Sequence, residues 1–60
     1  MRIIYSVTLN GNQSGEIYKI FDDCFKVRFT QGDSPSQVIF TDSKSSAMQL
    51  LGELINGGAL

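Results

Sequence analysis

Cys24 is the only thiol in the chain, and with no histidine in the sequence neither it nor any serine has the base that most often activates a nucleophile. Lys26 and Arg28, two and four residues on, are the cations that would favour a thiolate at Cys24. A lone cysteine is more often a small packed hydrophobe. Asp22-Asp23, with Asp42, offers carboxylate oxygens for a hard cation, but the spacing matches no calcium loop, and both sites have simpler uses as turn and helix-cap residues. Ser43, Ser45 and Ser46 would meet an anion at a helix start only if they were not already capping it. Gly11 and Gly15 fit no phosphate-binding glycine pattern. Tyr5 and Tyr18 read as strand-packing residues. The residue types therefore point to no catalytic residue, no cofactor and no metal, and the chain is expected not to be an enzyme.

Something must position whatever these residues do, and the totals limit what that can be. Sixty residues make one domain (1–60), near the lower size limit for unaided folding, since so short a chain buries only about 60% of its unfolded surface. With 42% hydrophobic and 18% charged residues, a globular, soluble chain is expected rather than a disordered tail. No apolar run approaches the roughly 20 residues of a membrane span, so no membrane partner is expected. The opening Met1-Arg2-Ile3-Ile4-Tyr5 leads into alternation rather than a signal-peptide core, and the cytoplasm is the expected location. One cysteine allows no internal disulfide, so packing or self-association must supply stability, and a homodimer is favoured slightly over a monomer. A formal net charge of −1 disfavours both a strongly basic nucleic-acid binder and an acidic DNA mimic.

Residues 2–9 alternate, with Ile3, Tyr5, Val7 and Leu9 on one face and Arg2, Ile4, Ser6 and Thr8 on the other. Residues 10–15 read as a loop. Residues 16–21 and 24–30 are rich in β-branched and aromatic side chains and flank Asp22-Asp23, which makes a hairpin. Residues 31–36 form a second loop and residues 37–41 a short edge strand. Asp42 or Ser43 can cap a helix over residues 43–56 that Gly57-Gly58 stops. Ala47, Leu50, Leu51, Leu54 and Ile55 form its core stripe, and Ser46, Gln49, Glu53 and Asn56 its wet side. Met48 and Ile55, at one margin of the apolar arc, are candidates for a subunit seam. The fold class is α+β, a four-stranded antiparallel meander (ββββα) with the helix packed on one face. The loops 10–15 and 31–36 share one end, and Asp22, Asp23 and the helix start share the other.

A two-residue turn at Asp22-Asp23 pairs Phe21 with Cys24, Ile20 with Phe25, Lys19 with Lys26, Tyr18 with Val27 and Ile17 with Arg28. Tyr18, Ile20, Phe25, Val27, Phe29, Val38 and Phe40 then face the helix together with Ile3, Tyr5, Val7 and Leu9. The weak point is Lys19 opposite Lys26, a like-charge pair. A three-residue turn would instead bring Ile17, Lys19 and Phe21 onto the face of Phe25 and Val27, burying a lysine unless its ammonium snorkels to the edge. The two-residue turn is preferred. Under it Arg2, Ile4, Ile17, Lys19, Phe21, Lys26, Arg28 and Ile39 share an uncovered face, both basic and apolar, which is the candidate partner-binding surface.

Two functions suit such a face. The first is a small interaction or regulatory protein whose partner is another protein, held on the open sheet face or at a strand edge. The second is a nucleic-acid-binding module in which Arg2, Lys19, Lys26 and Arg28 meet phosphates while Phe21 or a neighbouring aromatic stacks on a base. The sheet-then-helix order, with Phe40-Thr41-Asp42-Ser43-Lys44 at the junction and Ala47 inside the helix, is loosely similar to the three-stranded-sheet DNA-binding domains of integrases over about half the chain. That resemblance implies the second function, whereas the acidic balance of the chain departs from it.

Overall fold

β-branched and aromatic residues commit half of the chain to strands, and the turn residues between them keep the connections short. The computed structural model describes residues 1–9 and 12–57; Asn10, Gly11 and Gly58, read above as loop and helix stop, lie outside the described residues. The elements are β1 (Arg2–Leu9), β2 (Gln13–Phe21), β3 (Cys24–Gln31), β4 (Gln37–Thr41) and α1 (Lys44–Gly57). The strands form one antiparallel sheet in the order β1-β2-β3-β4, and α1 packs on one side of it, the α+β meander expected from the pattern. Among the described residues α1 is the one element outside the sheet, and the other side of the sheet has no cover from them.

The helix starts where its cap was expected. Ser43 Oγ accepts the Ser46 N–H at 3.1 Å and Ser43 O accepts the Ala47 N–H at 3.0 Å, which makes Ser43, not Asp42, the capping residue. At the far end of the sheet the two loops are tied together, because the Gly32 N–H donates to Asn12 O at 2.6 Å. Gly32 takes φ +58°, the left-handed conformation that glycine adopts without steric cost.

One loop is shorter than the composition suggested. Gln13, Ser14 and Gly15 belong to β2, paired with Leu9, Thr8 and Val7 on one side and with Gln31, Thr30 and Phe29 on the other. A central strand receives ladder bonds from both neighbours, which outweighs the poor strand propensity of Ser and Gly. Gly15 is buried there because α1 leaves no room for a side chain: a Cβ at this position would stand 2.6 Å from Leu51 Cδ1.

The larger correction concerns which residues face α1. The turn at Asp22-Asp23 has two residues and pairs Phe21 with Cys24, but a bulge at Ile20 follows, so Lys19 pairs with Phe25, Tyr18 with Lys26 and Ile17 with Val27. Ile17, expected on the open face, is completely buried in the core with Phe25, Val27, Phe29, Ala47 and Leu51. Tyr18 turns outward, which spares its hydroxyl a burial without a partner. A second bulge at Ile4 moves that residue against the core and leaves Ile3 in register with Tyr18 on the open face. In β4 the register pairs Ile39 with Val27 on the helix side and Val38 and Phe40 with Arg28 and Lys26 on the open side, the reverse of the expected assignment.

Lys19 consequently lies on the helix side, the placement that seemed expensive from sequence. Its side chain stays 37% exposed and its Nζ reaches Asp22 Oδ1 at 3.5 Å, so the ammonium snorkels at the sheet end. The bulge also removes the Lys19–Lys26 clash. On α1, Leu50, Leu54 and Ile55 are half-buried against the core, so of the proposed seam only Met48 remains exposed.

Candidate functional site

Because Phe25, Val27 and Phe29 point to α1, the alternate residues Lys26, Arg28 and Thr30 must point to the open side. Each heads a row running straight across the sheet. Ile3, Tyr18, Lys26 and Phe40 form one row over all four strands; Ser6, Glu16, Arg28 and Val38 form the next; Thr8, Ser14 and Thr30 the third. Phe21 and Cys24 lie beyond the first row, beside the hairpin turn. The face thus grades from hydroxyl-rich at the Gly32 end to apolar at the Asp22-Asp23 end. Ile3, Val38, Phe40 and Phe21 are 53%, 48%, 60% and 68% exposed.

Both cations on this face are held by neighbours. Lys26 Nζ sits 4.6 Å from the centroid of the Tyr18 ring, a cation–π contact worth about 0.5–1 kcal/mol at an exposed site. Arg28 Nε donates to Ser36 Oγ at 3.3 Å, and Ser36 Oγ is 2.7 Å from Thr30 Oγ1. Two charges are therefore drawn toward neighbours on the face, among exposed apolar side chains. Such a surface can bind groups that offer both apolar bulk and carboxylates.

Of the residues expected on this face, Lys26, Arg28 and Phe21 are there. Ile17 and Ile4 are in or against the core, Ile39 shares the helix side with Val27, and Lys19 is on the helix side with Arg2 opposite it. Arg2, Lys19, Ile20, Phe21, Asp22 and Asp23 instead line an open depression at the sheet end, where the two cations and two carboxylates offset each other. Ile3, Tyr18, Val38 and Phe40 were missed. The conflict between Lys19 and Lys26 was the one signal in the sequence that the assumed register was wrong.

The other chemical candidates are absorbed by structure. Ser43 and Ser46 bond to each other and to the helix start, with Ser43 Oγ donating to Ser46 Oγ at 3.0 Å. Asp22 holds Lys19, and the two cations nearest Cys24 are directed at Tyr18 and Ser36. Among the described residues no three His, Cys, Asp or Glu side chains gather as a metal site, and no helix is long and apolar enough to cross a membrane. No family model, curated protein or solved structure matches the chain, so the reading of this face rests on its own chemistry.

Proposed function

We propose that this chain is a non-enzymatic interaction module that holds a protein partner on the open sheet face, the partner presenting apolar side chains flanked by carboxylates. The observation that carries this reading is the row Ile3–Tyr18–Lys26–Phe40, with Arg28 and Val38 in the next row. Aromatic side chains and arginine are the usual anchors of protein interfaces. The nucleic-acid alternative loses support. It drew on four cations sharing a face, and only Lys26 and Arg28 share it, with Glu16 across from Arg28. Phe21, the aromatic expected to stack on a base, stays exposed on the face, whereas the neighbouring Tyr18 ring is already covered by Lys26. A single cysteine suits a reducing compartment, and the cytoplasm is the setting we propose.

Affinity capture from a lysate of the source organism, with and without nuclease, tests the proposal. A protein partner retained after nuclease, lost with Phe40→Ser and with the Lys26→Ser/Arg28→Ser pair, and kept with Lys19→Ser supports it. Each loss should correspond to at least about a tenfold weakening, as expected for anchor residues. Partners released by nuclease, or retained equally by every variant, would overturn it.

A further inference from the structure

Among the described residues the four strands in chain order leave two edges, β1 and β4, each with half of its backbone N–H and C=O groups unpaired by another strand. The edges differ in protection. β1 carries a bulge at Ile4 and a charge at Arg2, two devices that block further strand pairing. β4 reads Gln37-Val38-Ile39-Phe40-Thr41, with no charge, no proline and no register shift, and Val38, Ile39 and Phe40 are all exposed.

The strand is also symmetric about its centre: polar, three apolar, polar. We propose that β4 pairs antiparallel with β4 of a second copy of this chain, about a two-fold axis at Ile39. That operation sets Ile39 against Ile39 of the second copy, Val38 against Phe40 and Gln37 against Thr41. An uncharged edge is self-complementary under a two-fold, because any charge opposite itself would repel. The neighbouring Asp42 comes opposite Ser36 of the second copy rather than against its own image. The result is an eight-stranded sheet with both edges guarded by Arg2 and the Ile4 bulge. Its open face is continuous, with the Val38 and Phe40 side chains of two copies at the centre and Lys26 and Arg28 on both sides. Pairing goes beyond the partner-binding reading above, and the test uses purified protein alone, so either can fail without the other.

The test is the solution mass of the purified chain and two variants by sedimentation, with melting as the check on folding. Wild type is expected to be dimeric. Val38→Glu/Phe40→Glu places each new carboxylate opposite Arg28 or Lys26 within one chain but opposite another carboxylate across the axis. It should stay folded while the dimer dissociation constant rises about tenfold or more. Val38→Glu/Phe40→Lys sets opposite charges across the axis and, despite a like-charge pair with Lys26 within each chain, should restore the dimer in a salt-sensitive form. In a Cys24→Ser background, Ile39→Cys should form an intermolecular disulfide on oxidation, since directly opposed residues have Cβ atoms about 4.5–5.5 Å apart, whereas Gln37→Cys should not. A wild-type chain monomeric at several hundred micromolar, a dimer unaffected by Val38→Glu/Phe40→Glu, or cross-linking at residue 37 but not at 39 would each overturn the proposal.

Discussion

Gly15 and Leu51 are 36 positions apart in sequence and meet between the sheet and the helix. Leu51 is buried, so its side chain cannot swing into solvent to admit a methyl group at residue 15. Elsewhere in a strand, glycine to alanine would favour folding by restricting the unfolded chain. Here Gly15→Ala should destabilise by about 1–3 kcal/mol, the usual range for overpacking. Leu51→Ala should cost about 2–5 kcal/mol as a core truncation. The double variant should cost clearly less than the sum, because removing the Leu51 Cδ atoms removes what the new methyl strikes. Thermal or denaturant melting of the four proteins checks this, and strict additivity would contradict the contact.

At the scale of elements, α1 contains a glycine that serves no such purpose. Nothing lies within 4 Å of where a Cβ on Gly52 would sit, so Gly52→Ala should stabilise the chain by up to about 1 kcal/mol, the helix-propensity difference between the two residues. A loss of stability would mean that the open space at Gly52 is filled in solution. The helix itself was plain in the sequence, because Ala47, Leu50, Leu51, Leu54 and Ile55 repeat with one fixed period that nothing interrupts. The strands were plain too, as was the two-residue turn at Asp22-Asp23. What could not be read was which side of each strand faces α1. Side chains alternate with period two, so a single inserted residue inverts everything beyond it. The bulges at Ile4 and Ile20 are such insertions, and isoleucine carries no local mark of one. In β4 the three apolar residues in a row gave no alternation to count, so its face depended wholly on the register with β3. Hence Lys26, Arg28 and Phe21 were placed rightly on the open face, while Ile17 and Tyr18 exchanged sides.

At the scale of the molecule, six hydrophobic residues among those described make up the buried core, and two of them, Ala47 and Leu51, come from the helix. Without α1 the sheet would have no covered face, and a lone sheet of this size lacks the buried area that a folded state needs. A chain ending at Ser43 should therefore lose cooperative melting and bind hydrophobic dyes, and retention of a sharp transition would show that the strands are self-sufficient. The order of the elements along the chain carries a further consequence. Every strand pairs with its neighbour in sequence, so hairpins can form as soon as each is synthesised, whereas the contact of Leu51 with Gly15 must wait for the last element. A chain that has made its four strands but not yet α1 thus exposes apolar residues that nothing covers, those of the unguarded fourth strand included, and for that interval its solubility depends on whatever meets it at the ribosome.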